Sequence, residues 1–285
     1  MATEKFIPAV WSAKILDALE KSLVYAQLFN RDYEGEITDV GDTVKIGTIG
    51  DVTIKDYTKS SDIAEADEVT PTVQTLTIDQ AKYFNIAVDD VDAAQSKLSL
   101  LDTATARAGY GFSDVADQYL GGLLASKGTL TAGLGTKTTP LVITKDNAYE
   151  TLVNMKTALD KAKLPKQGRV CVMPSEFEGF MLLDPRFVQV SADEAQKRLT
   201  EGSVYRAAGF DIMTSVNAPS PASGVYNVVA SSPICGTFAE QILKTEAYRP
   251  EKRFSDAVKG LHVYGAAVTR PECVAVATVK FTATE

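Results

Sequence analysis

Histidine is almost absent: the chain holds one, His262, in 285 residues. A site that draws two or more histidine ligands from one chain is therefore excluded, and with it the HExxH peptidases and most zinc enzymes. Cysteine is scarce as well. Cys171, Cys235 and Cys273 form no CxxC pair and sit in apolar neighbourhoods, so they read as buried free thiols. No stretch approaches the roughly 18 uncharged apolar residues that span a bilayer. Met1 to Phe6 lacks the charged and apolar succession of a secretory signal, which places synthesis in the cytoplasm. Basic charge is in deficit, with 29 Lys and Arg against 37 Asp and Glu and a formal net charge of -8. A surface that grips phosphates needs clustered Lys and Arg, so a general nucleic-acid-binding face is excluded.

Catalytic motifs are missing too. No Ser or Cys lies in a G-x-S-x-G context, and His262 sits in the apolar run Leu261-His262-Val263-Tyr264, where a strand histidine is the simpler reading. Gly133-Leu134-Gly135-Thr136-Lys137-Thr138 is similar to a phosphate loop but lacks the glycine directly before the lysine. It also follows a helix, where a phosphate loop follows a buried strand. Gly109-Tyr110-Gly111 lacks its third glycine. Abundant carboxylates without a buried setting read as solvated faces. The sequence thus calls for no catalytic residue, no cofactor and no metal. A structural or binding protein remains.

What is present is a sequence of distinct patterns. Trp11, Ile15, Leu19 and Leu23 lie four apart, with Leu16, Val24 and Leu28 beside them, which predicts an amphipathic helix. Its apolar face must dock on the distant body of the chain or on another molecule. From Gly41 the period changes to two, with Val44, Ile46, Thr48, Val52 and Ile54, and alternation returns at Leu76, Ile78, Phe84, Ile86 and Val88. Together these runs predict a long two-stranded arm with a polar tip from Asp56 to Pro71. That tip sets Asp56, Asp62, Glu65, Asp67 and Glu68 against Lys59. Isolated two-stranded ribbons are marginal in water, so the arm must lie on its own domain or on a neighbour.

Asp89, Asp90 and Asp92 read as helix-capping residues, not a metal site. Apolar residues from Val91 through Phe112, Val115 and Tyr119 predict a helix to Ser126, on the order of 50 Å long. Gly109 and Gly111 within it suggest a bend or a close packing. Further elements are a helix at Thr144 to Leu164 capped by Thr144 or Asp146, a strand at Arg169 to Met173 and a short helix at Pro174 to Leu183. A helical turn follows at Gly202 to Ala208, and strands at Phe210 to Thr214, Val225 to Ala230, Cys235 to Phe238, Leu261 to Val268 and Cys273 to Phe281. Helices and strands mixed without βαβ regularity give an α+β class.

The order of these parts resembles the major capsid proteins of tailed bacteriophages, of the Hong Kong 97-type fold. The segment Gly41-Asp42-Thr43-Val44-Lys45-Ile46 to Asp56-Tyr57-Thr58, then Leu76-Thr77-Ile78-Asp79 and Lys82-Tyr83-Phe84 to Asp92, is similar to their extended loop running into the spine helix. Val263-Tyr264-Gly265-Ala266 through Arg270-Pro271-Glu272-Cys273-Val274-Ala275-Val276 is similar to their closing segment. Pro174 to Arg186, then Gly202, Gly209-Phe210-Asp211-Ile212 and Ser215-Val216-Asn217, is similar to their axial domain.

The resemblance implies an N-terminal arm at 1–35, an extended β-hairpin loop at 36–88, a peripheral domain with the spine helix at 89–143 and 256–285, and an axial domain at 144–255. It implies self-association as hexamers and pentamers into an icosahedral virion capsid assembled in the host cytoplasm. Scaffolding, portal and decoration proteins are its implied partners. The acidic charge agrees with a shell that encloses DNA without holding it. Because Trp11 follows the start almost at once, a separate scaffolding protein and no large N-terminal cleavage are expected. Lys55 and Lys59 lie on the loop, but no matching Asn or Glu is assignable, so no Lys-Asn cross-link is expected. The expected intersubunit contacts are Trp11, Ile15, Leu19, Lys55, Asp56, Lys59, Asp62, Glu65, Asp67 and Glu68. An encapsulin-like nanocompartment, a carbohydrate-binding or adhesin-like module and, more weakly, a hydrolase using an unrecognised carboxylate pair stand as alternatives.

Overall fold

The computed structural model describes residues 23–33, 41–49, 54–57, 59, 62, 71–89, 100–184, 206–252 and 255–281. Among them the strands are β1 (Thr43–Ile49), β2 (Pro71–Thr77), β3 (Gln80–Asp89), β4 (Leu141–Ile143), β5 (Val170–Met173), β6 (Arg206–Ala207), β7 (Phe210–Thr214), β8 (Val225–Ser231), β9 (Gly236–Tyr248), β10 (Ser255–Val268) and β11 (Ala275–Phe281). The helices are α1 (Leu100–Lys127), α2 (Ala148–Lys161) and α3 (Ser175–Leu182). No described helix is long and apolar enough to cross a membrane.

The main core surrounds a six-stranded sheet of order β4-β11-β8-β5-β7-β6. Its central strand β5, Val-Cys-Val-Met, is apolar without alternation because both faces are covered, and all four residues are buried. On α2 the buried positions Ala148, Thr151, Leu152, Met155 and Leu159 recur at helical spacing and turn toward β11. Asn147 is its N-cap residue, in place of the expected Thr144 or Asp146. Its carboxamide ties the preceding turn, accepting from the Thr144 N–H at 2.8 Å and donating to the Val142 carbonyl at 2.8 Å.

The helical turn expected at Gly202 to Ala208 is corrected where it is described: Arg206 and Ala207 pair antiparallel with Asp211 and Phe210 in a hairpin. Ala208 (φ 49) and Gly209 (φ 83) both adopt left-handed backbone, the requirement of a tight two-residue turn. Gly135 has a similar role in the loop that is similar to a phosphate cradle. Its φ is 81, and a Cβ there would stand 2.4 Å from the Thr278 carbonyl oxygen, so this glycine serves close packing on β11.

A second, three-stranded sheet has the order β3-β10-β9, and α1 lies against β10 and β3. Both β9 and β10 run well beyond the short strands expected at Cys235 to Phe238 and Leu261 to Val268. At about 1.5 Å per residue the 28 residues of α1 extend about 42 Å, unbroken through Gly109 and Gly111. Gly111 faces open space, so it marks no packing contact among the described residues. The close approach is at Gly121, where a Cβ would come 3.1 Å from the Tyr25 ring. Phe112, Ala116, Leu120 and Leu124 form the buried stripe, whereas Val115 is exposed.

The third sheet is a ribbon, and here the expected pairing is wrong. β1 pairs antiparallel with β2 from Thr43↔Thr77 to Ile49↔Pro71, while β3 pairs with β10 from Gln80↔Tyr264 to Ser255↔Asp89. The return strand therefore starts at Pro71, where the polar tip was expected to end, includes Leu76 as expected, and stops before Phe84, Ile86 and Val88.

Candidate assembly surfaces

The ribbon has a root and an outer part with opposite character. At the root, Val44, Ile46, Leu76 and Ile78 bury one face of the ribbon against Ala239 of β9 and Val263 of β10. The chain enters and leaves through paired backbone bonds, Gly41 N–H to the Ile78 carbonyl at 3.0 Å and Ile78 N–H to the Asp42 carbonyl at 3.1 Å. Gln74 Nε2 donates to the Thr269 carbonyl at 2.9 Å. A Cβ on Gly265 would stand 2.4 Å from the Thr77 carbonyl oxygen, so only glycine lets β10 come this close. Thus the root lies on its own domain.

The outer part is solvated. Ile54 is 90% exposed and Tyr57 76% exposed, and Lys55, Asp56, Lys59 and Asp62 are exposed beside them. Glu65, Asp67 and Glu68 lie outside the described residues, as do Trp11, Ile15 and Leu19. Four of the ten expected contact residues are thereby placed together on one exposed segment.

Residues 23–33 form a strap over the body. Only a 3-10 turn, Tyr25–Leu28, continues the helix expected to end at Leu28, and Tyr25, Ala26 and Leu28 are buried. Asp117 on α1 receives this turn, accepting from the N–H groups of Val24 at 2.9 Å and Tyr25 at 2.7 Å through Oδ1. The Ser215 hydroxyl donates to its Oδ2 at 3.3 Å. Burial raises the Asp117 pKa above the ordinary carboxylate value, and the hydrogen bonds from Tyr25, Val24, Ser215 and Asn217 only partly oppose it. Neighbouring Asp114 accepts from Asn217 Nδ2 at 2.8 Å, so two carboxylates of α1 hold the loop after β7.

The strap then joins β9. Asn30 N–H donates to the Gly236 carbonyl at 2.9 Å, and Phe238 N–H donates to the Asn30 carbonyl at 2.8 Å. The Cys235 thiol donates to the Leu28 carbonyl at 3.0 Å. Arg31 pairs with Glu240 at 2.9 Å and stands over the Phe238 ring, 5.4 Å from its centre. The second oxygen of Glu240 lies 3.2 Å from Nε2 of His262, which is fully buried. Beside Phe112 and Tyr264, His262 is the strand histidine expected from its apolar run.

At the junction of ribbon and sheet the Tyr119 hydroxyl donates to Asp79 at 3.3 Å. Burial and then the Asp79 charge push the hydroxyls of Tyr119 and Tyr264 up to about 12, so both stay neutral at physiological pH. All three cysteines are buried and free. Among the described residues no group of three or more His, Cys, Asp or Glu is arranged to hold a metal ion. The buried polar groups described above join elements of the fold.

Asp117, Arg31 and Glu240 are not among the expected site residues. Asp117 had a signal: it follows Ser113 by four and precedes Leu120 and Leu124 by three and seven, which puts a carboxylate on the buried stripe. Arg31 and Glu240 are 209 residues apart, with nothing local to link them.

This mixed fold of helices and sheets, with a rooted ribbon, a strap and a long helix, is the fold of phage capsid subunits. A structure from Mycobacterium phage Che8 matches with a TM-score of 0.73 at 30% identity over 91% of each chain. The capsid of cyanophage P-SCSP1u matches at 0.68 with 14% identity, covering 92% of this chain and 89% of that one. A virus-like particle from Pyrococcus furiosus matches at 0.55 with 12% identity, covering 95% and 99%. No curated protein sequence matches the chain. The phage capsid protein family model matches residues 72–277. The chain belongs to the tailed-phage major capsid protein family, a structural family, and is a self-assembling subunit of a virion shell.

Proposed function

We propose that the subunit assembles as hexamers and pentamers into an icosahedral shell of the Hong Kong 97 type around the phage genome. The observation that carries this reading is the family match over 72–277 together with 30% identity across 91% of the Che8 chain. In this reading α1 is the spine helix, residues 1–35 are the arm, 89–143 with 256–285 form the peripheral domain and 144–255 the axial domain. The extended loop, expected at 36–88, returns to the body at Ile78, because β3 pairs with β10. Assembly takes place in the host cytoplasm with a separate scaffolding protein, and portal and decoration proteins complete the particle. The subunit acts through contacts and not through catalysis.

The exposed outer ribbon, with Ile54, Lys55, Asp56, Tyr57, Lys59 and Asp62, is the part offered to a neighbouring subunit. Glu65, Asp67 and Glu68 extend that acidic tip, and Trp11, Ile15 and Leu19 dock the arm beneath another copy. Each contact is modest, and closed symmetry multiplies it. The virus-like particle from Pyrococcus furiosus shares the fold alone, at 12% identity, and does not favour the nanocompartment alternative. Electron cryomicroscopy of the chain produced where its scaffolding protein is also present is expected to give closed shells whose reconstruction resolves five-fold and six-fold capsomers. Uniform monomers, or small rings without closure, would refute the reading.

A further inference from the structure

The six-stranded and three-stranded sheets end in four edge strands, and three of them carry a device that blunts strand addition. On the six-stranded sheet β4 has three residues and β6 two, and Arg206 pairs with Asp211 beside β6 at 3.4 Å. On the three-stranded sheet, the start of β9 is bridged by Asn30 at Thr237, and its ladder with β10 shifts register at Leu261/His262.

β3 carries none of these, and a single edge lysine, Lys82, is its only protective charge before Asp89. It has ten residues, Gln-Ala-Lys-Tyr-Phe-Asn-Ile-Ala-Val-Asp, with neither proline nor glycine. Its register with β10 is continuous from end to end, and among the described residues no strand pairs its outer side. A straight row of unpaired N–H and C=O groups is a template for a further strand. Ala81, Tyr83, Asn85 and Ala87 are exposed, and Tyr83 is 80% exposed. Phe84 turns the opposite way, its ring centre 5.5 Å from that of Phe112 on α1. Beside Tyr83 lies a hollow of about 340 Å³ lined by Tyr83, Phe84, Glu246, Lys259, Gly260 and Leu261, with room for a side chain of an added strand.

We propose that the edge of β3, unpaired among the described residues, is an interface that receives an extended strand of a second copy of this chain. The occupant follows from the shell-subunit reading, on which the inference rests: the flanks of each subunit are met by further copies. A bare edge is a liability in an isolated chain and is covered in a closed shell. Lys82 is the only charged side chain from Gln80 to Val88, so a neutral or acidic strand of a second copy meets no like-charge barrier there.

Hydrogen exchange on assembled shells and on subunits kept below the assembly concentration tests this. Outward amides of β3 are expected to exchange about 100-fold slower in shells than in subunits. Equal rates would overturn the proposal. Slow exchange already in dilute subunits would overturn it too, because the chain would then cover its own edge. In parallel, Ala81→Lys with Ala87→Lys adds to β3 the charges that protect natural edges. The pair is expected to raise the concentration needed for assembly about tenfold with a near-unchanged melting temperature, while Val153→Lys on exposed α2 leaves assembly alone. Assembly of the double variant at the wild-type concentration would contradict the proposal. If the wild-type chain forms no shells, the shell reading itself fails, and that is seen before any exchange is measured.

Discussion

The six-stranded sheet and the three-stranded sheet of this subunit differ in what completes them. Around the first, β5 is buried throughout, and Phe177, Met181, Phe210, Leu152 and Met155 are fully inaccessible, so the chain satisfies its own apolar surface. Around the second, one face rests on α1 while Tyr83 and the outer ribbon face solvent, and the pieces are joined by buried polar contacts at Asp117 and Glu240. Buried apolar side chains are therefore concentrated in the first region, and the proposed contact surface lies in the second.

Variants can break this contrast in graded steps. Phe210→Ala in the six-stranded sheet is expected to cost about 3 to 5 kcal/mol and to leave little folded protein, which a urea titration would measure. Asp117→Ala strands the Val24 and Tyr25 N–H groups and is expected to cost about 2 to 4 kcal/mol, with amide exchange rising first in the strap. Leu76→Ala at the ribbon root is expected to cost about 2 to 3 kcal/mol and to loosen the ribbon before the main sheet, readable as selective proteolysis near 43–77.

Asp117→Asn is the mildest and most informative change, since Oδ1 still accepts both backbone bonds. The folded pKa of Asp117 is raised, so its contribution is fully present below the unfolded carboxylate value and is lost as pH rises through the folded value. Asn does not titrate. The melting temperature of Asp117→Asn relative to wild type should therefore increase from acidic to neutral pH, and a difference constant with pH would refute this assignment.

The same contrast governs what could be read from the amino acids. In the first region local signals suffice: the unbroken apolar run Val170 to Met173, the helical spacing of Leu152, Met155 and Leu159, and Pro174 before α3. In the second they do not. Leu76, Ile78, Phe84, Ile86 and Val88 keep one parity across Asp79, although the strand partner changes there from β1 to β10. A period-two pattern carries no sign of which strand it pairs with. Thr72 and Gln74 left the start of the return strand without an apolar signal before Leu76. Glu240 points a carboxylate into β9 and hides its length, and the register shift at Leu261/His262 breaks the alternation of the ladder. Ala208 in place of the usual Asn or Asp before Gly209 concealed the β6-β7 hairpin.

The division between a self-sufficient core and a contact-bearing periphery is tested most directly by excising residues 56–71 and joining the ends with a short Gly-Ser linker. Melting and sedimentation would be measured on the same preparation. The main unfolding transition should stay within a few degrees of wild type while shells vanish from the sedimentation profile. Normal shells from the shortened chain, or collapse of the main transition, would contradict it.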